Sequence, residues 1–224
     1  LQDFYSLRSV PQGFGPMEEN LKRAVQWIEE EMNSVNDNPI ISYSTKQILH
    51  GANFMGYYVT ESCDILKMDI SQASSWMHSI FSNLLNARKN FGLSDNLVVH
   101  ENTHHGFKSS QILFASIVVQ NRKLAQSQQA FMVPTEGDNQ DVNSLAVHAA
   151  YDFKESVQNL ERLVAIMFIA SAQALEMRGI KKSSKKSQKI HATIRQKVAF
   201  MEDDRSFRSD IEEVILMMRE SKLQ

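Results

Sequence analysis

From Asp141 to Arg178 the chain runs for about 38 residues without a glycine or a proline. Those two residues interrupt helices more than any others. The mean helix of a globular protein has only about 11–12 residues. The segment reads as helix throughout, so the fold must seat one long helix, or two placed end to end, in a bundle.

Helical periodicity also dominates the rest. Pro16 suits the first turn of a helix and opens the first strong one. Glu18 and Glu19 follow where negative charge complements the helix dipole. Leu21, Ala24, Val25, Ile28 and Met32 recur at spacings of three and four and form one apolar face. Turn-forming residues between Asn33 and Pro39 end this helix. Ile40–Tyr43 and Gln47–Leu49 flank polar Ser44–Lys46, the pattern of a short hairpin. A second helix is expected from about Ser62 to Phe91, with Gly92 as its stop. A loop spans 93–106, and a third helix covers roughly Ser109 to Ala130. The centre of that helix, Ile112–Val119, is apolar nearly all round, so neighbouring helices should surround it. Two shorter helices close the chain at about 186–200 and 209–221. Ser209 and Glu212 have capping-box spacing at the start of the last one. The basic run Lys181–Lys189 reads as a solvated linker, or else as a nucleic-acid or membrane patch. The expected fold class is mainly α, a long helical bundle.

Composition narrows the classes. The 224 residues allow one domain or two small ones. Hydrophobic residues at 42% and charged residues at 22% are ordinary for a soluble protein. A net charge of −2 argues against nucleic-acid binding as the default, since phosphate neutralisation needs excess Lys and Arg. The single cysteine, Cys63, excludes an internal disulfide and fits a reducing compartment, so a cytoplasmic location is expected. No apolar run reaches the roughly 18–20 residues of a membrane span. The chain begins at Leu1 rather than at methionine.

Few residue patterns suggest chemistry on their own. Phosphate-loop, dinucleotide, HExxH and CxxC motifs do not occur. His104 and His105 are adjacent, so they would diverge on a regular element and fit a loop or packing role better than a zinc site. No metal is expected. Gln2, Tyr5 and Arg8 recur every three residues and, if helical, lie along one side. They are either a polar helix face or a site in which Arg8 forks onto a carboxylate. Glu136 and Gln140 lie four apart where the long helix is expected to start. They either serve a site at that end, or the segment is an ordinary helix start capped by Asp138 or Asn139.

The decisive feature is an ordered series of motifs. QDFYSLR (residues 2–8) followed by Pro11-Gln12, NSVNDNPII (33–41), HGANFMG (50–56), NFGLSDNL (90–97), HGFKSS (105–110), NRKLA (121–125) and NQDVNSL (139–145) stand in one order. SAQALEMRG (171–179) and MEDDRSFRSDIEEV (201–214) complete the series. Together they resemble the carboxy-terminal helical half of the aromatic amino acid ammonia-lyase and aminomutase family, over essentially the whole chain. Histidine-specific members usually carry Gln-Glu-Asp where this chain has Asn139-Gln140-Asp141, and a histidine where it has Met55. Gln140, Gly106-Phe107-Lys108 and Glu136 look like the phenylalanine and tyrosine lyases. Ala52, in place of a usual glycine, and Glu136-Gly137-Asp138, in place of Glu-Gln-His, depart from the pattern.

The resemblance implies a role for each matching residue. Arg8 binds the substrate carboxylate. Tyr5 assists proton transfer or amine departure, and Gln2 hydrogen-bonds in the same pocket. Phe54 forms an apolar wall. Lys108, Glu136 and Gln140 line the side that handles the amine. Asn33, Asp37 and Asn38 fix a buried turn. The family's electrophile is a methylidene-imidazolone made from an internal Ala-Ser-Gly, a tripeptide that does not occur here. This chain alone is therefore expected to be inactive. The resemblance also implies a homotetramer whose sites are shared between subunits, a small amino acid substrate, and no nucleic-acid or membrane partner. Two further readings remain open: an aromatic amino acid 2,3-aminomutase, and a non-catalytic helical oligomerisation domain.

Overall fold

A computed structural model of the chain describes residues 2–223. Seven α-helices and one two-stranded hairpin are formed among these residues: α1 (Tyr5–Arg8), α2 (Val10–Met32), β1 (Ile40–Ser42), β2 (Gln47–Leu49), α3 (Tyr57–Leu84), α4 (Lys108–Leu124), α5 (Ala146–Arg178), α6 (Lys185–Arg195) and α7 (Arg208–Arg219). The chain is mainly α. It divides into two compact units. One comprises the chain up to Leu7, Ser74–Gln120 and the chain from Gln158 onward; the other comprises Arg8–Ala73 and Asn121–Val157.

The long glycine-free run forms a single helix, α5, of 33 residues. It ends where Gly179 takes a φ of +91°, a conformation that costs glycine no Cβ clash. The hairpin forms as expected, with antiparallel pairing of Ile40 to Leu49 and Ser42 to Gln47. Other boundaries differ from expectation. Helix α2 starts at Val10, with Pro11 in its first turn, and Pro16 lies inside it. Helix α3 stops at Leu84 rather than near Phe91. The Asn90 amide takes the Leu84 carbonyl at 3.0 Å and the Ser94 carbonyl at 3.3 Å, while its oxygen accepts from Leu93 N at 2.9 Å. Helix α4 ends at Leu124, and Gln128–Phe131 form a separate 3-10 turn. The basic run is no linker: Ile180–Lys182 form a 3-10 turn, and Ser184 caps α6 by accepting from Ser187 N. The last helix is capped at Phe207, not Ser209, which is already inside α7. Asn33, Asp37 and Asn38 lie on exposed backbone, not in a buried turn.

In the first unit the core is aromatic and aliphatic. Phe81 and Phe114 pack at 4.9 Å between ring centres, and Phe107 stacks on Phe207 at 4.8 Å. Full burial of a side chain of this size is worth about 1.5–3 kcal/mol. Leu163, Ile166, Ile169 and Ala170 of α5 join this core, with Ile194, Val198 and Val214. Buried Gln173 bonds both ways with the Met201 backbone, donating to its carbonyl at 2.8 Å and accepting from its N–H at 3.0 Å.

The second unit is held by polar groups as well. Lys67 is fully buried on α3. Its ammonium pairs with Asp64 at 2.8 Å, lies 3.8 Å from Asp152 and donates to the Gln126 carbonyl at 3.1 Å. Asp64 also accepts from Ser127 Oγ at 2.7 Å and Gln128 N at 2.9 Å. A buried charge is tolerable only with such partners. The network therefore fixes the turn after α4 against α3 and α5.

The apolar face expected on α2 is mostly uncovered. Ala24 is buried, but Leu21, Val25 and Met32 are exposed. The centre of α4 is likewise not surrounded within this chain. Phe114, Ile117 and Val118 face the core, while Ile112, Leu113 and Val119 are exposed. Among the described residues no helix is long and apolar enough to cross a membrane.

Candidate active site

In the second unit, two of the sequence-derived candidates share one cavity of about 690 Å³. Phe54 and Gln140 both line it, with Asn38, Met55 and the stretch Asn139–Val147. Local chemistry explains the shape. Asn38 Oδ1 accepts from Gly51 N at 3.1 Å, which closes the loop around the hairpin. Gly56, at the foot of α3, lies so near the start of α5 that a Cβ there would stand 3.1 Å from Ala146 Cβ. Tyr57 donates to the Asn143 carbonyl at 3.2 Å, and Thr60 donates to the Ser144 carbonyl at 2.7 Å. These bonds dock the segment before α5 onto the first turn of α3.

Glu136 and Gln140 do not start a helix. Thr135 and Gln140 form an antiparallel bridge, with N···O distances of 2.9 and 3.2 Å. Glu136, Gly137 and Asp138 between them all have positive φ, a tight reversal that glycine favours. Asn139 donates to Glu136 at 3.1 Å. Neither Asp138 nor Asn139 caps the long helix, which begins six residues beyond the turn at Ala146. Glu136 is exposed at the turn, and Gln140 leads from it into the cavity wall.

Gln2, Tyr5 and Arg8 do not share a continuous helix. Helix α1 spans only Tyr5–Arg8, and Gln2 precedes it in irregular backbone. In the first unit Trp76 Nε1 donates to the Ser6 carbonyl at 2.8 Å, and the Lys89 ammonium lies 5.7 Å from the Phe4 ring centre. These contacts hold the segment while Tyr5 stays 73% exposed. Arg8 is exposed at the end of α1.

Lys108 opens α4 in the first unit and lines a polar cleft of about 600 Å³ with Asp95, His104, His105 and Gln111. The loop before it is tightly fixed. A Cβ at Gly106 would come within 2.4 Å of the Asn96 carbonyl oxygen, and φ there is +57°. Phe107 N donates to that same oxygen at 2.9 Å. Asp204 accepts from His105 N and Gly106 N, each at 2.8 Å. These two backbone donors hold its carboxyl below the usual range, against a small desolvation. Sequence reading missed Asp204 and Asn96, because no local pattern joins them to the Gly106 loop. His104 pairs with Asp203 at 3.2 Å on this loop.

The motif order and this geometry agree with a comparison across known proteins. The family model described as aromatic amino acid lyase matches residues 1–196. The chain belongs to the aromatic amino acid lyase family. Within that family, a tyrosine 2,3-aminomutase of Chondromyces crocatus is 34% identical over 205 residues, covering 91% of this chain and 39% of its own length. A histidine ammonia-lyase of Natranaerobius thermophilus is 28% identical over 223 residues, covering 100% of this chain and 44% of its own. The solved tyrosine aminomutase of Streptomyces globisporus superimposes with a TM-score of 0.94 at 29% identity, over 99% of this chain and 42% of that one. The helical arrangement is thus that of the ammonia-lyases and aminomutases. The chain spans about two-fifths of the length of these aromatic amino acid lyase relatives.

Proposed function

We propose that the chain is the carboxy-terminal helical part of an aromatic amino acid ammonia-lyase. The enzyme eliminates ammonia from phenylalanine or tyrosine and releases a trans-α,β-unsaturated acid. The observation that carries this reading is the cavity shared by Phe54 and Gln140, each within a motif of the family. Met55 and Gln140 stand where histidine-specific members carry other residues, which favours a carbocyclic aromatic side chain over imidazole.

The β-proton of an amino acid is too weakly acidic for a lone base, and the amine is a poor leaving group. The family's methylidene-imidazolone, when present, supplies the electrophile that eases both steps. On this reading it comes from a part of the protein beyond this chain, since no Ala-Ser-Gly occurs here. The residues assigned to it fit an outside group: Tyr5 and Gln2 are exposed, not sealed in a core. This chain's own residues then bind and orient. Arg8 holds the substrate carboxylate through its planar fork. Tyr5 moves a proton at its phenol oxygen. Gln2 donates or accepts beside it, and Phe54 walls the aromatic ring. Lys108, Glu136 and Gln140 serve the amine side. By itself the chain is inactive on this reading. Exposed apolar residues on α2 and α4 leave surface for contact with further protein, and the family resemblance extends this to a homotetramer with sites shared between subunits. The single cysteine supports a cytoplasmic location.

The experiment is to incubate the complete polypeptide with phenylalanine, tyrosine and histidine separately and follow the absorbance of the conjugated acid. Absorbance with phenylalanine or tyrosine supports the proposal. Absorbance with histidine alone overturns the substrate assignment. The aminomutase kinship favours a second reading, in which ammonia returns at the β-carbon. A β-amino acid as the main product would establish it. No turnover by a folded complete protein that also lacks an Ala-Ser-Gly would leave the helical oligomerisation reading.

A further inference from the structure

From Arg178 to Met201 the sequence contains no aspartate or glutamate. Lys181, Lys182, Lys185, Lys186 and Lys189 fall within nine positions of this stretch, and all five are exposed. None of the five forms an ion pair among the described residues. The nearest carboxylate in sequence, Glu176, is already taken by His191 at 2.9 Å and Arg195 at 2.8 Å.

The fold turns this run into a ridge. His191 and Ile194 of α6 are buried, and Ile190 packs on the core. At about 100° per residue, Lys185 and Lys189 lie on the opposite side of the helix, and Lys186 flanks them. Lys181 and Lys182 continue the charge in the preceding 3-10 turn. Unpaired ammonium groups are the last side chains to be buried in an apolar subunit contact, because their desolvation would go uncompensated. The ridge is therefore suited to remain in solvent in the complete protein.

We propose that the α6 ridge docks the protein onto anionic lipid headgroups at a bilayer surface. Clusters of about four to eight basic residues on an amphipathic helix are attracted to such surfaces, and α6 is amphipathic, with His191 and Ile194 buried opposite its lysines. Apart from the small Ala192, α6 exposes no apolar side chain for insertion, since Ile190 and Ile194 are turned inward. Nucleic acid fits less well. Residues 181–197 contain no Phe, Tyr or Trp for base stacking, their one imidazole, His191, is buried, and the lysines offer point charges rather than forked donors. An acidic polypeptide gains little from exposed lysine–carboxylate pairs.

The test is co-sedimentation of the complete protein with vesicles of phosphatidylcholine alone or with about 30% phosphatidylserine. Binding is expected only to the anionic vesicles, and it should fade as salt rises from about 0.1 M to about 0.5 M. Each lysine contributes roughly a fivefold factor, so Lys185→Gln, Lys186→Gln and Lys189→Gln together should lower partitioning about a hundredfold. Circular dichroism and turnover should be unchanged. The pair Lys46→Gln and Lys154→Gln, outside the basic run, should leave binding intact. Equal sedimentation with neutral vesicles, or an unaffected triple variant, would overturn the proposal. Tighter binding to duplex DNA than to anionic vesicles would also end it, and would assign the ridge to nucleic acid.

Discussion

Asp204 and Gly106 are 98 positions apart, yet the Gly106 N–H donates to Asp204 Oδ1 at 2.8 Å. His105 N–H donates to the other carboxylate oxygen at the same distance. One side chain thus clamps the loop that leads into Lys108 and α4. The clamp needs a carboxylate, since a neutral acid would replace an acceptor with a donor.

A pH dependence follows from this clamp. The two backbone donors lower the Asp204 pKa in the folded protein relative to the unfolded chain. The stability it contributes is complete above the ordinary aspartate pKa and is lost as pH falls through the depressed one. The melting temperature should therefore fall with acid below about pH 4, with Asp204 as one contributor. Asp204→Asn should lower the melting temperature at neutral pH and flatten that acid limb. Thermal melts across the pH series check this. Identical limbs in both proteins would mean that the clamp contributes nothing.

The buried Lys67–Asp64 pair makes a different prediction. Asp64→Ala leaves the Lys67 ammonium without its nearest counter-charge and Ser127 without its acceptor. Breaking such a pair from one side costs about 3–5 kcal/mol. Replacing both partners, Asp64→Leu with Lys67→Met, should recover a large part of that loss, because no uncompensated ammonium remains. Urea unfolding of the three proteins decides the matter. A loss below about 1 kcal/mol in the single variant would show that the site relaxes into water.

How far the sequence disclosed this arrangement depends on the range of each interaction. The hairpin was readable because Ile40, Ile41 and Ile48 flank a polar turn and pair locally. Helix α5 was readable from its uninterrupted run and its glycine stop. The turn at Glu136–Asp138 was misread because a four-residue spacing suits a helix and a closed turn equally. Only the backbone bridge from Thr135 to Gln140 separates the two. The end of α3 depends on the Asn90 side chain reaching back to Leu84, which periodicity does not register. Asp204 was invisible for the same reason over a longer distance. Of the cavity residues, Phe54 stood out only through a family motif, while the spacing from Glu136 marked Gln140 without deciding between a site and a helix start. By residue type alone, Gln140 fits a helix start and Phe54 fits any core.

Two substitutions examine the proposed chemistry in the complete protein. Arg8→Ala removes a charge-assisted contact worth about 1.5–3 kcal/mol, so kcat/KM should fall roughly ten- to hundredfold. Tyr5→Phe removes only the phenol oxygen. If that oxygen transfers a proton, kcat should drop by about 10²–10⁴ while the fold, followed by circular dichroism, stays intact. Kinetics within twofold of wild type for either variant would withdraw that residue from its role.

The exposed face of α4 provides the last prediction. Ile112 and Val119 lie seven residues apart on the same side of the helix, 68% and 49% exposed, while Phe114 and Val118 point into the core. Such an apolar stripe on a long helix is stable in water only at a cost, and subunit contact would relieve it. Ile112→Glu places a charge on the stripe without touching the core. On the proposed homotetrameric reading, it should shift the assembly of the complete protein toward smaller species, measured by sedimentation velocity, with helix content retained. If the sites are shared between subunits, turnover should fall in parallel with the tetramer fraction and recover at high protein concentration. An unchanged tetramer would place the subunit contacts elsewhere, and full activity in a dissociated variant would show that each site is complete within one subunit.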